Sequence, residues 1–507
     1  MRNKIISLAC ISCFCSLVSM GQNIRGYIHI TDSTLAPQKV GYRADGIMKT
    51  SNMKMNRILS DRTVPVYRQA FPTAKSEWLR NVYYIESPDA DVFNDIENEL
   101  KGNVDLVELL DDEFRPTAYT PNDYNILPVD YYDLINARDA WEIVKDIPKI
   151  TIGIIDNYFD TAHVDLKGQF VNTIANNNSS YYTNYFHGTA VSGLIAAIPD
   201  NQRGFPGLGF GMKLYAQTPT AYPSEYEVLQ MAQLGCRVIN CSWASTCEYS
   251  KVQDSIYAEV LNAWDCAVVC GAGNHSSECG SLAGNVYPAS YSSNISVTSI
   301  GHTNDRGTVK PNGSKLFWKD CHEQTIGDTT STHHHNAAVD ICAPGYGLWT
   351  TYPMGHKDGN YNSGWGTSFA APLVSATIGL VLSINPCLLA KEAADLVLNT
   401  SDPIIYDIPE NARYIGKLGK GRLDVYQAVL AAVKTATEHI KTATNYNTST
   451  TVHSNYAIHA EAPVKVLRGA DVTYKARREV SVYDLFEVAD GASFSIYTGM
   501  DLPTACK

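Results

Sequence analysis

Ser368 sits at an odd join in the chain. In the stretch 362–386, NSGWGTSFAAPLVSATIGLVLSINP, Gly364, Gly366 and Thr367 are small and turn-like, and an Ala-rich apolar run follows. Pro372 lies inside that run, and proline is tolerated in the first turn of a helix, where its missing N–H removes no hydrogen bond. The helix therefore starts only a few residues before Pro372, with Ser368 at or just before its N-terminus. Val374, Ile378 and Val381 recur at helical spacing, and Asn385-Pro386 ends the run. Serine is a favoured helix cap. It is also a nucleophile, and helix N-termini offer free N–H groups and partial positive charge to a developing anion. A serine nucleophile needs a neighbouring base and a group to orient that base. Both residue types occur upstream. Asp156 ends the apolar run KITIGII, whose Ile150, Ile152, Ile154 and Ile155 suit a strand buried on both faces of a parallel sheet. Open α/β sheets place their sites at the carboxyl ends of such strands. His187 opens HGTAVSGLIAAIPD (187–200), where Val191, Leu194, Ile195 and Ile198 mark one helix face. Singly, the acid could cap a loop and the histidine could be an ordinary polar residue at a helix end. Together, in the order Asp, His, Ser and each at an element end, they form a set for acyl transfer.

HGTAVSGLIAA and GTSFAAP closely match the His and Ser motifs of the subtilisin-like serine proteases, and the chain resembles that family, the subtilases. The order Asp…His…Ser is also the subtilisin order. Weaker echoes lie between: CRVINCSW (236–243), AVVCGAGN (267–274), YPASYSSNISVTSI (287–300), DICAPG (340–345) and GKGRLDVYQAV (419–429). The resemblance covers about residues 121–435, with several separate motifs in the right order. It implies a three-layer α/β/α fold around a parallel sheet, and a serine endopeptidase acting on polypeptides. His187 would take the Ser368 proton, Asp156 would hold the imidazole, and the Asn274 side chain would share the oxyanion with the Ser368 backbone N–H. Ser242, Trp243 and Ala244, with Gly271, Ala272 and Gly273, would line the substrate cleft. No cofactor is required for this chemistry. A structural calcium ion is implied by Asp165 in AHVDL and by the loop PDNQRGFPG (199–207), although Arg203 inside the loop counts against it. One departure stands beside the acid. The family has Ser or Thr and then Gly there, whereas this chain has Asn157 and Tyr158. Asn is a local hydrogen-bonding residue that tolerates unusual backbone angles, and Tyr158 adds bulk. Two other functions stay open: an inactive subtilase-like binding protein, and a surface adhesion protein whose C-terminal module carries the function.

The elements around these residues set the domain organisation. The chain has 507 residues, too many for one ordinary domain, with 45% hydrophobic and 18% charged residues. A net charge of −12 argues against nucleic acid as the main partner. Residues 1–21 read as a signal peptide: MRNK is basic, IISLACISCFCSLV is an apolar core too short for a span, and Ser19 and Gly21 suit cleavage before Gln22. No later segment reads as a membrane span, so the protein is expected to be secreted or held at the cell surface. Residues 22–115 form a small α+β N-terminal domain. It has a strand at 81–86, a helix over 87–102 with Ser87 as N-cap, Pro88 in the first turn and Phe93, Ile96 and Leu100 on one face, and a strand at 104–110. This order resembles a subtilase propeptide, which would act as chaperone and inhibitor of its own enzyme; the alternative is a structural domain kept in the mature protein. Residues 116–436 are the catalytic domain. The Thr/Asn-rich 437–455 reads as a linker, and 456–507 as a small β module with alternating pairs such as Val472 and Tyr474.

Three of the 13 cysteines lie in the signal, leaving ten. Cys236, Cys241, Cys266, Cys270 and Cys342 lie in or beside apolar strands and read as buried free thiols. Cys247, Cys279, Cys321, Cys387 and Cys506 are the better bridging residues, with pairing left open. Their spacings do not suggest zinc, and no metal site is assigned. His333, His334 and His335 fall in a polar segment and read as solvated loop residues.

Overall fold

The computed structural model describes residues 24–506 apart from 43–47, 62–63, 65, 72–73, 88, 90, 110–117, 175–185, 220–224, 275–278, 304–308, 310–312, 314, 317–318, 328–330, 357–359, 483–485 and 500–505. The expected signal peptide lies outside these residues. The chain divides into two compact units, 1–114 and 115–507.

In the first unit, strands Val66–Gln69, Val82–Ser87, Ile24–Ile30 and Val104–Leu109 lie side by side in that order, all antiparallel. Helices Met53–Asp61 and Asp91–Glu99 close one core with Ile28, Ile85, Met55, Phe93, Ile96 and Leu100. Phe93, Ile96 and Leu100 are buried, as their spacing predicts. The helix starts later than expected, at Asp91. Ser87 still pairs with Ile24 in the sheet, and the side chain of Asp89 accepts from Asp91 N.

In the second unit, the apolar runs 238–241 and 267–271 are buried on both faces and join five further strands. The seven are β1 (Thr151–Ile155), β2 (Phe170–Ile174), β3 (Lys213–Gln217), β4 (Val238–Cys241), β5 (Ala267–Gly271), β6 (Asn294–Ile300) and β7 (Ile341–Pro344). They form one parallel sheet in the order β7-β6-β5-β4-β1-β3-β2. Successive residues serve opposite layers. Ile154, Val238, Ala267 and Val297 pack with α1 (Ala137–Val144), α2 (His187–Ala196), α5 (Thr367–Ile384), α6 (Ala390–Asn399) and α7 (Val425–Ala436). Ile155, Ile239, Val268 and Cys270 pack with α3 (Glu225–Gln233) and α4 (Lys251–Asn262). This is the expected three-layer α/β/α fold.

α5 is 18 residues long and apolar enough to cross a membrane, yet 94% of it is buried inside this unit, so it is the domain's central core helix. Pro372 is its sixth residue, in the second turn rather than the first. The missing proline N–H therefore leaves the Ser368 carbonyl without its helical donor, and Ser242 Oγ donates to that carbonyl instead at 2.8 Å.

The segment read as a linker is structured. Glu438–Ile440, Thr444–Tyr446 and Thr450–Ser454 form the first coil of a three-sided parallel β solenoid. Ala457–Ala460, Val464–Val466 and Asp471–Ala476 form the second coil, and Glu479–Val482, Phe486–Val488 and Ser493–Thr498 the third. Thr450 pairs with Val472 and Val472 with Phe494, so each side stacks in register. Ile458, Val464, Val472, Tyr474 and Ala476 fill the interior. Asn445, Thr448 and Thr451 are exposed, and Thr444 and Thr450 take half-buried positions in register with Val464 and Val472, so a polar composition hides the strands.

Cys247 bridges Cys279 and Cys387 bridges Cys506. Cys321 is a buried free thiol, joining the five expected ones. The three consecutive histidines also differ from expectation: His333 and His334 are fully buried and His335 nearly so. Their segment packs against the sheet end, where His334 N donates to Gly273 O (2.9 Å) and Thr298 Oγ1 to His334 O (2.6 Å).

Candidate active site

The site gathers at the carboxyl ends of β1, β4 and β5 and the N-termini of α2 and α5, where a parallel sheet opens its cleft. Asp156 follows β1 directly and is 4% exposed. Both of its carboxylate oxygens lie 2.8 Å from His187 Nδ1, and Asn157 N donates to Oδ1 at 2.6 Å. A carboxylate that accepts from Nδ1–H fixes the tautomer and leaves Nε2 as the basic nitrogen. Burial of the ring lowers the His187 pKa, but the charge and the hydrogen bond of Asp156 together outweigh it, so the net value lies above the ordinary 6.5.

The loop after the acid locks onto α2. Asn157 O accepts from Gly188 N (2.7 Å), and Tyr158 O accepts from Thr189 N (3.0 Å) and Thr189 Oγ1 (2.8 Å). A side chain at Gly188 would sit 2.5 Å from Asn157 O, so only glycine permits this approach. Tyr158, at the family's glycine position, takes a φ of 65°. The left-handed residue is thus the tyrosine rather than Asn157, and the hydrogen bonds to Thr189 hold it there.

Ser368 is the second residue of α5, after Gly366 at φ 136° in the N-cap position. Its hydroxyl donates to Ser242 O at 3.0 Å. Ser242 in turn accepts from Asn240 Nδ2 (2.8 Å), and Asn240 Oδ1 accepts from Ser375 Oγ (2.9 Å). This buried polar chain anchors the start of α5 to the end of β4. Phe369 meets the His187 ring edge-on, with centroids 6.3 Å apart.

Asn274 lies just beyond β5. Its Oδ1 accepts from Thr367 N (2.7 Å) and Thr367 Oγ1 (3.1 Å), and Thr367 Oγ1 accepts from Gly273 N (3.1 Å). With Oδ1 committed to Thr367, Nδ2 is the part of Asn274 able to donate. Thr367 is the positioning residue that the motif reading passed over; its place between Gly366 and Ser368 was the available signal. Ser242, Trp243, Ala244, Gly271, Gly273, Asn274, Thr367 and Ser368 line one cavity of about 210 Å³. Ala272 does not line it: it is buried, and its N–H donates to Val297 O in β6. Alternation along the strand turns its side chain into the core. The Cys247–Cys279 bridge ties together the segments that follow the two cavity walls.

Away from the cleft, Asp165 meets the loop 199–207. Asn201 Nδ2 donates to Asp165 Oδ1 (2.5 Å), Phe205 N to Asp165 Oδ2 (3.4 Å) and Asn201 N to Asp123 Oδ2 (3.4 Å). Asp123 Oδ1 is buried with no hydrogen-bond partner, and Arg203 is exposed. Burial pushes the Asp165 carboxyl up to about 7 and raises Asp123 as well. Two buried carboxylates, one with an unpartnered oxygen, are donors that fit a hard cation, whereas the Asn201 amide oxygen is turned away and accepts from Arg203 N at 2.8 Å.

A family model described as the subtilase family matches residues 148–454. The chain is 29% identical to thermitase of Thermoactinomyces vulgaris, covering 61% of this chain and 99% of that protein. It is 28% identical to subtilisin DY of Bacillus licheniformis, covering 50% and 83%. A solved structure of proteases from Pseudoalteromonas arctica PAMC 21717 aligns with a TM-score of 0.45 at 18% identity, over 62% of this chain and 99% of that one.

Proposed function

This chain belongs to the subtilase family, and on that premise we propose that it is an exported serine endopeptidase that cleaves polypeptides through an acyl-enzyme on Ser368. The observation that carries the reading is the bond of both Asp156 oxygens to His187 Nδ1 at 2.8 Å, beside a helix start that holds a serine. Ser368 Oγ turns from Ser242 O to His187 Nε2 and gives up its proton as it attacks the scissile carbonyl carbon. The oxyanion takes hydrogen bonds from Asn274 Nδ2 and the Ser368 N–H, in the dipole field of α5. Collapse breaks the C–N bond, and His187 returns the proton to the leaving amine. Water then repeats the sequence on the ester. Substrate backbone lies between the segments 242–244 and 271–274. Two disulfides favour an oxidising compartment, in keeping with export.

A peptide-library cleavage profile of the purified protein, with Ser368→Ala alongside, tests this reading. Internal cleavage lost in the variant supports it; equal cleavage by both proteins, or none by either, overturns it. The unit 22–115 acts as a self-cleaved propeptide in this account. Ser368→Ala should then accumulate a longer precursor than wild type, and identical mature masses would rule out self-processing. Asp123 and Asp165, with the Asn201 amide turned to offer its oxygen, would hold a structural calcium ion that clamps the loop 199–207. Chelation should lower the melting temperature, and an Asp165→Asn protein indifferent to chelator would support the assignment; a wild type indifferent to chelator would refute it.

A further inference from the structure

We propose that the C-terminal solenoid carries a transition-metal site, of the kind zinc occupies, built from His439, His459 and Glu461. His439 lies in the first coil and His459 directly beneath it in the second, as paired residues of adjacent parallel strands. Their rings cross edge-to-face with centroids 5.3 Å apart. Glu461 Oε1 lies 2.7 Å from His439 Nδ1. One donor atom from each of the three residues falls within 4.8 Å of the others.

Two imidazoles and one carboxylate form a familiar zinc donor set, with bonds of about 2.0–2.2 Å that leave ligand atoms roughly 3.3–3.5 Å apart in a tetrahedron. Glu461 Oε1 and His439 Nδ1, now 2.7 Å apart, must part by about half an ångström, and any wider pair must close by at most about 1.5 Å; the side chains are exposed or half-buried, so rotamer adjustment suffices. The backbone beneath them is fixed. Strand pairing holds the two histidines, and Glu461 N and Ala462 N both donate to Ile440 O, at 3.0 and 3.2 Å. Glu479 Oε1 sits 3.0 Å from His459 Nε2, adding an anionic group from the third coil that either orients the ring or joins the shell.

The plain alternative is a pair of surface His–Glu contacts. What exceeds it is the convergence of two such pairs, with both imidazoles in register on neighbouring coils. A bound ion would fasten the first and second coils where the module leaves α7, since His439 follows that helix closely.

The test uses the full-length Ser368→Ala protein, which removes self-digestion, titrated with zinc ions alone at pH 7.5 in a calorimeter and followed by thermal unfolding. The expected result is one equivalent bound, with a rise in melting temperature. His439→Ala and His459→Ala should each weaken binding at least about tenfold, the usual loss on removing part of a metal shell. Glu461→Gln keeps the side chain's shape, removes its charge, and should also weaken binding. Absence of binding at millimolar zinc would overturn the proposal, as would binding unchanged by His459→Ala, which would place the ion elsewhere.

Discussion

The catalytic core and the C-terminal solenoid are both built from parallel strands, and they solve the burial problem differently. In the core, seven strands share one sheet and helices cover both faces, so whole strands such as Val238–Cys241 are buried. In the solenoid, nine short strands form three walls around one interior, so burial alternates, as in Asp471–Ala476. The core's topology brings five element ends to one cleft, and each end demands a particular residue type. The solenoid's topology demands only small or apolar residues at stacked inward positions, and its outer face is free to vary. Chemistry is therefore concentrated in the first region, and in the second it appears only where stacking aligns two side chains. The two regions are nonetheless continuous. Tyr456 and Ala457 of the solenoid belong to the core's hydrophobic cluster, Ser454 Oγ donates to Ala436 O at 2.6 Å, and the Cys387–Cys506 bridge pins the chain end back beside α5.

Substitutions on each side should separate activity from stability. The largest effect is expected for His187→Ala, which should lower kcat by about 10⁶, the scale known for loss of the base in subtilisin; a loss below about tenfold would remove His187 from the chemistry. Asn274→Ala should lower kcat by about 10²–10³ with KM little changed, a magnitude known for the oxyanion donor of subtilisin rather than calculated for this site. Because Asn274 also accepts from Thr367 N, the same change should cost about 1–3 kcal/mol of stability. An unchanged kcat in a stable protein would mean that another group fills the oxyanion role. On the solenoid side, Tyr474 is fully buried, its hydroxyl 3.2 Å from that of Tyr446. Tyr474→Ala should destabilise the module by about 3–5 kcal/mol while kcat/KM at room temperature stays within about twofold. A large fall in kcat/KM would show that the two regions are coupled in catalysis. The smallest effect concerns pH. The folded His187 pKa is raised above 6.5, and acylation needs the neutral ring. Activity should therefore rise with pH through a midpoint above 6.5, measured as kcat/KM; a midpoint below that value would contradict the Asp156 pairing.

What the sequence revealed follows the same division. Asp156 at a strand end, His187 at a helix start and Ser368 in the first turn of α5 were legible because the flanking apolar periodicity and the glycine turn specify those places locally. The hydrogen bond from Ser242 to the Ser368 carbonyl that Pro372 leaves open was not, because that donor follows a strand more than a hundred residues away in the chain. His333 to His335 looked solvated because their polarity is local information, whereas their burial depends on backbone contacts to Gly273 and Leu282. The first solenoid coil looked like a linker because register with later coils gives Thr and Asn their strand conformation. Cys321 looked free to bridge because its neighbours in sequence are polar, yet tertiary packing buries it.

The most direct test of the central claim is covalent: react the purified protein with a fluorophosphonate ester and map the adduct by mass spectrometry. The account predicts one equivalent on Ser368 Oγ, with fluoride displaced and the proton taken up by His187, and a labelling rate that collapses in a folded His187→Ala protein. An unlabelled Ser368, or labelling that proceeds equally without His187, would contradict it.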